Sequence, residues 1–281
     1  MKKTKSMKRF RIGSLFKWAL LIFLAVFELF PLLLVISNAF RTDSEVKQMP
    51  IGLPNLTYYQ NFVDTWTIGE YGRAYINTFF IAAVVIVLIL VIDGLAAYAL
   101  AKLNLKLKNV INGYFFVAMS LPGFLYIIPV YSAMRKMGLV DTYWGIIIVY
   151  TAGQIPFNLI LLRTFLTGIP RELEEAAKID GCTELQSFIQ ITVPIAKSIF
   201  MTIAILVFSH VWNEYLWANT FLPTDELKTV ATRYVRFTGQ YTSNMARIYT
   251  ASVIAIVPIC ALYLAFSRKF IEGRTSGSVK G

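Results

Sequence analysis

Six stretches of the chain read as nearly unbroken apolar sequence, separated by segments rich in charge. They cover residues 18–37, 78–101, 110–134, 143–162, 195–217 and 248–266. Each is close to the twenty or so residues needed to cross a ~30 Å hydrocarbon core. Open strands cannot satisfy their backbone groups in lipid, so the pattern predicts membrane-spanning helices. Polar residues and prolines interrupt the runs in identifiable places: Glu28 and Pro31 in the first, Asp93 and Gly94 in the second, Pro122-Gly123 and Pro129 in the third, Pro156 in the fourth and Pro258 in the sixth. The prolines predict kinks, tolerable where neighbouring helices or polar groups repair the lost hydrogen bond. The expected fold class is therefore all-α, a polytopic membrane protein of about six transmembrane helices.

Composition supports that reading. Of the 281 residues 57% are hydrophobic and 15% charged, against roughly half and about a quarter for soluble domains. The net charge of +11 would suggest nucleic acid on a soluble chain. Here it reads as positive-inside charge, and no nucleic-acid partner is expected. Lys and Arg cluster before the first helix (Lys2, Lys3, Lys5, Lys8, Arg9, Arg11, Lys17), after the second (Lys102, Lys106, Lys108), between the fourth and fifth (Arg163, Arg171, Lys178, Lys197), and in the tail (Arg268, Lys269, Arg274, Lys280). The alternate loops carry about half as many. This bias predicts a cytoplasmic N-terminus (1–17), a transmembrane body (18–267) with a cytoplasmic loop at 164–194, and a cytoplasmic tail (268–281). The basic start and first apolar run could also be a signal peptide cleaved after Ala39. That run is long for one, however, and Glu28 and Pro31 would be unusual inside it.

Little in the chain suggests chemistry on a substrate. Cys182 and Cys260 form no disulfide framework or metal spacing, and His210 is the sole histidine. His210 therefore reads as a packed or helix-lining polar group, with no metal site expected. There are no paired catalytic carboxylates or Ser/His set, and no GxxxxGK[ST] phosphate loop. The chain is expected not to be an enzyme.

The loop at 164–194 contains the most specific pattern. Pro170 suits a first helical turn, Glu172, Glu174 and Glu175 complement the positive end of a helix dipole, and Gly181 suits a C-terminal stop. Three-four spacing places Leu173, Ala176, Ala177 and Asp180 on one face of a helix over 171–180, shallow enough for another protein's groove to close on it. A second helical stretch is expected over 183–191, with Pro194 opening the fifth membrane helix.

This segment resembles the signature of inner-membrane permease subunits of binding-protein-dependent ABC importers. That signature is Glu-Ala-Ala, three residues, Gly, nine residues, Ile, one residue, Leu-Pro. Glu175, Ala176, Ala177, Gly181, Ile191 and Pro194 match it at the same spacing, with Val193 in place of leucine. Further stretches are similar to the carbohydrate branch, that of the smaller maltose permease subunit. They are Asn77-Thr78, the run from Ala96 to Ala101, Trp212-Asn213-Glu214-Tyr215-Leu216-Trp217, and the ending Gly277-Ser278-Val279-Lys280-Gly281. The resemblance implies a coupling helix that docks on a cytoplasmic ATPase, with Glu175, Ala176, Ala177, Asp180, Gly181, Ile191 and Pro194 as the coupling residues. It also implies as partners a second homologous permease subunit, two ATPase subunits and an extracytoplasmic solute-binding protein. The chain itself would hold no cofactor, and ATP and Mg would be bound by the ATPases. The expected location is the bacterial inner membrane, and the cargo a sugar or oligosaccharide. A self-contained secondary transporter is the alternative, weakened by the absence of an inverted repeat.

Some polar residues within or beside the apolar runs are candidates for the substrate path. Asn213 and Glu214, between Trp212 and Trp217, could meet sugar hydroxyls and ring faces, or belong to an interfacial aromatic belt. Tyr150, Gln154 and Asn158 lie on one stripe at four-residue spacing, which faces either a cavity or a neighbouring helix. Glu28 reads as pairing with a neighbouring helix and Asp93 as a packing or pairing residue. The polar, glycine-rich tail is expected to be disordered or to reach toward the ATPases.

Overall fold

The structure is a computed structural model that describes residues 12–237 and 244–275, with side chains over 14–237 and 244–265. The six basic residues before Ile12 and the final Gly277–Gly281 stretch lie outside it, as do the side chains of Arg268, Lys269 and Arg274. In chain order the helices are α1 (Ile12–Ala39), α2 (Asp43–Gln48), α3 (Gln60–Ile68), α4 (Tyr71–Lys102), α5 (Lys108–Ser120), α6 (Ile127–Lys136) and α7 (Tyr143–Thr167). There follow α8 (Glu172–Ile179), α9 (Glu184–Ser187), a π-helical turn at Phe188–Thr192, α10 (Val193–Ile195), α11 (Lys197–Asn213), α12 (Leu216–Phe221), α13 (Val230–Arg233) and α14 (Met245–Thr275). No strand occurs among the described residues.

Four helical segments are long and apolar enough to cross a membrane unbroken: Ser14–Ala39, Tyr71–Lys102, Tyr143–Thr167 and Met245–Ala265. The other two apolar runs form bent pairs. Lys108–Ser120 and Gly123–Lys136 meet at 91°, and Glu184–Ile195 and Lys197–Asn213 at 80°. The first bend is written in the sequence. The residue before a proline is pushed out of the helical region, and Leu121, before Pro122, is extended at φ −86°, ψ 120°. Pro31, Pro156 and Pro258, by contrast, sit inside continuous helices. The fifth segment departs from expectation at both ends. Pro194 opens only the short α10, and the chain bends at Ala196 before α11. At the far end the helix stops at Asn213, and a separate α12 begins at Leu216.

Two compact units are present. One comprises the described residues of 1–69 and 235–254, the other those of 70–234 and 255–281. In the first, every side chain of α1 from Ser14 to Leu33 is exposed, Glu28 included. The expected pairing of Glu28 with a neighbouring helix is therefore not made within this chain's described residues. The α1 exit is organised by buried Arg41, which donates to Asn38 Oδ1 (2.8 Å) and to the carbonyls of Met49 (2.8 Å) and Glu45 (3.1 Å). Asn61 donates to the carbonyls of Ala39 and Arg41, Thr250 to that of Ala39, and Arg247 pairs with Asp64 at 3.3 Å.

In the second unit α4 packs along α7. Tyr143 meets Asn77 at the start of both helices and Lys102 meets Ile169 at their end, so the two run parallel. An aromatic cluster of Tyr75, Phe79, Phe208 and Trp212 joins α4 to α11. Gly94 has no side chain because a Cβ there would lie 3.2 Å from Phe188 and 3.3 Å from Phe200.

Candidate functional site

The loop between α7 and α11 folds as its residues dictate. Three glutamates, Glu172, Glu174 and Glu175, fill the first turn of α8, complementing the helix dipole. At its end Cys182 N–H donates to Ala177 O (2.9 Å) and Gly181 N–H to Lys178 O (3.1 Å). This is the Schellman arrangement, and it requires the left-handed φ of +86° that Gly181 adopts. A side chain there would cost about 1 kcal/mol or more. The next helix, α9, starts with a capping box between Thr183 and Gln186. Lys178 and Glu184 bridge α8 and α9 at 2.6 Å, and the Glu184 carboxylate, by accepting that hydrogen bond, holds the Lys178 ammonium above its ordinary range.

The faces of α8 differ from expectation. Ala177, only 4% exposed, and Glu174, 6% exposed, form the inward side. Glu172, Glu175, Ala176 and Ile179 face outward, with Ile179 86% exposed. Leu173 and Asp180 lie exposed at the flank of this stripe. Ala177 therefore does not share an open face with Ala176. The physical reason is Glu174, whose carboxylate accepts from Lys102 Nζ at 3.1 Å, both side chains being under 9% exposed. Thr192 Oγ1 reaches the same carboxylate at 3.4 Å. Burying that pair turns the neighbouring Ala177 inward. A bulky residue at Ala177 would unseat the loop rather than obstruct a partner. Of the remaining motif residues, Ile191 is half-buried and Pro194 exposed.

Within the same unit lies a cavity of about 930 Å³. Its walls include Asp93 of α4, Tyr126, Tyr150 and Gly153 of α7, His210 of α11 and Trp217 of α12. The structure thus brings together two of the seven candidate path residues, Tyr150 and Trp217. Trp212 belongs to the core: it is 2% exposed and donates its indole N–H to Ala255 O at 2.8 Å. Asn213 is exposed and donates to Ser209 O. Asn158 is fully buried and bonds to Gln154 O, and neither residue lines the cavity.

Glu214 has partners within the chain itself. It accepts from Tyr150 Oη (2.7 Å) and from the backbone N–H groups of Trp217 and Ala218 (2.9 Å each). It acts as the cap of α12, satisfying N–H groups that have no partner within the helix. Through this bond it fixes Tyr150 on the cavity wall.

Sequence reasoning passed over two wall residues, Gly153 and Tyr126, read His210 as a packed or helix-lining polar group, and read Asp93 as a packing or pairing group. Asp93 is fully buried, and neither carboxylate oxygen has a hydrogen-bond partner among the described residues. A charge-bearing group inside an apolar span was the signal available. His210 packs edge-on against Tyr150 with ring centroids 6.0 Å apart. No cluster of His, Cys, Asp and Glu suited to a metal occurs among the described residues.

The helical arrangement belongs to a known architecture. The sequence profile of the binding-protein-dependent transport system inner membrane component matches residues 94–276. The chain belongs to this family. Among its relatives is the probable ABC transporter permease protein YurM of Bacillus subtilis, 31% identical over 99% of this chain and 93% of the relative. The trehalose transport system permease protein SugB of Mycobacterium tuberculosis is 32% identical, over 94% of this chain and 97% of its own length. The arabinooligosaccharides transport system permease protein AraQ of Halalkalibacterium halodurans is also 32% identical, over 98% and 100%. A solved structure of a bacterial ABC transporter involved in import of the acidic polysaccharide alginate superposes with a TM-score of 0.78 at 25% identity, covering 95% of this chain and 99% of that one. This chain is accordingly a multi-pass permease subunit of an ABC importer in the inner membrane, a transport component and not an enzyme.

Proposed function

We propose that the chain carries a sugar or oligosaccharide across the inner membrane after delivery by an extracytoplasmic binding protein. The observation that carries this reading is α8, a short exposed helix bearing the family motif and anchored to the inner end of α4. Such a helix suits a partner that moves it, and the relatives named for trehalose and arabinooligosaccharides supply the substrate class. The partners are one further homologous permease subunit and two ATPase subunits, which bind ATP and Mg. The outward stripe Glu172, Glu175, Ala176 and Ile179 is the docking face, with Asp180 beside it and Gly181 fixing its angle. Both termini and the loop are cytoplasmic, as the basic bias supports. The permease body of 18–267 is thus flanked by cytoplasmic segments 1–17 and 268–281. The cavity beside Tyr150 and Trp217 forms this subunit's share of the path, where aromatic faces can stack on sugar rings.

The test is reconstitution of the whole complex in proteoliposomes with radiolabelled neutral di- and oligosaccharides. Uptake should require ATP and the binding protein together. Accumulation by this chain alone, driven by an ion gradient, would make it a secondary transporter.

A further inference from the structure

Helix α4 is held to two different loops at its two ends, and the reading above uses only the inner attachment, as the seat of α8. At the outer end Asn77 Nδ2 donates to the carbonyls of Glu226 (2.9 Å) and Lys228 (3.0 Å), while its Oδ1 accepts from Tyr143 Oη (2.8 Å). Thr78 Oγ1 accepts from Val230 N–H at 3.0 Å. Arg233, 1% exposed, donates to the Asp225 carbonyl and pairs with Glu70 at 3.1 Å, just before α4 begins. At the inner end Lys102 binds Glu174 and the Ile169 carbonyl (2.8 Å), and Tyr98 Oη donates to Glu184 at 3.1 Å. Asn77 and Lys102 are 25 positions apart in one helix without an internal proline, a rod of about 37 Å at 1.5 Å per residue.

These grips are of a kind that moves as a unit. A buried ion pair with further hydrogen bonds has well-defined geometry, and separating it exposes a charge to an apolar site. An amide bound to two backbone carbonyls fixes both position and direction of the segment it holds. Between them, Gly94 lets Phe188 and Phe200 close on the helix. A displacement of α8 therefore loads α4, and α4 cannot shift along its axis without dragging residues 226–230.

We infer that α4 is the transmission rod of this subunit, with Lys102 and Glu174 as inner positioning residues and Asn77 and Thr78 as outer ones. It carries motion of the ATPase-docked loop to the extracytoplasmic segment 226–230. The inference rests on the docking reading of α8. In the rod's absence the complex would still assemble and hydrolyse ATP, but the outer segment would no longer register the nucleotide state.

The experiment uses the full complex with Cys182 and Cys260 replaced by serine and a reporter cysteine at Glu226, whose side chain is exposed and whose backbone makes the grip. Labelling by an impermeant maleimide is compared without nucleotide and with ATP plus vanadate. Lys102→Met alone strands the Glu174 charge and could misfold. The double variant Lys102→Met/Glu174→Met removes both charges and keeps the bulk, so it separates folding from transmission. With the native pair, labelling should change severalfold between states. In the double variant the change should vanish and binding-protein stimulation of ATPase should fall at least about tenfold, the range of typical coupling energies; ATPase association should be kept in the Asn77 variant, which leaves α8 and its seat untouched. Lys102→Arg should retain both, and Asn77→Leu should reproduce the double variant from the other end. A full nucleotide-dependent change in the double variant would overturn the rod. Failure of the unsubstituted chain to bind the ATPase would overturn the docking reading instead.

Discussion

Ile179→Glu combined with Ala176→Trp should abolish ATP-driven uptake while leaving the subunit folded. Ile179 is 86% exposed and Ala176 is on the same outward stripe. Surface substitutions of this kind change stability by only about 0.5 kcal/mol. At an interface centre the same changes insert a charge and a bulky ring where an apolar contact belongs. Losing one hot spot costs about 2 kcal/mol or more, a roughly thirtyfold loss of ATPase affinity. The subunit should elute normally from size exclusion, and the ATPase should dissociate during purification. Ala177→Trp provides the contrast. It overpacks a buried site at a cost of about 1–3 kcal/mol, so it should make the loop protease-sensitive even without an ATPase present. If the outward double variant keeps its ATPase at full affinity, the docking face is elsewhere.

The second large effect is expected from Gly153→Trp. A Cβ at this position meets nothing within 4 Å, and Gly153 is on the cavity wall. A side chain there therefore starts in open space on the cavity wall. Filling the cavity should sharply reduce sugar uptake, as narrowing a path does. ATPase association and binding-protein stimulation should survive, because α8 and its seat are untouched. Measured uptake together with hydrolysis separates the two outcomes, and normal uptake with the ring in place would remove the cavity from the path.

The spans were legible because lipid imposes a length and a composition that few other structures need. The 91° bend after Ser120 was legible too, since Pro122 constrains Leu121 by local sterics. The bend at Ala196 was not, because Pro194 is equally compatible with opening a straight helix. The face of α8 shows where local periodicity runs out. Residues 173, 176, 177 and 180 make a stripe, and so do 172, 175, 176 and 179. What chooses between them is Glu174 pairing with Lys102, seventy-two positions earlier, a contact that spacing within the loop cannot reveal. Glu214 is a similar case. Its neighbours suggest sugar or membrane interface, and nothing in them reveals the two backbone N–H groups and Tyr150 that donate to its oxygens. The gap at Tyr215 that creates those N–H groups has no proline or glycine to announce it.

The central claim, that α8 presents Ile179 to a cytoplasmic ATPase, is tested most directly by site-specific photocross-linking. In the chain with Cys182 and Cys260 replaced by serine, single cysteines at Ile179 and at Leu53, 89% exposed in the loop expected outside, would carry benzophenone. The assembled complex would then be irradiated in membranes. The account predicts an adduct with the ATPase subunit from position 179 and none from position 53. An adduct from position 53, or none from position 179 in a complex that hydrolyses ATP, would contradict it.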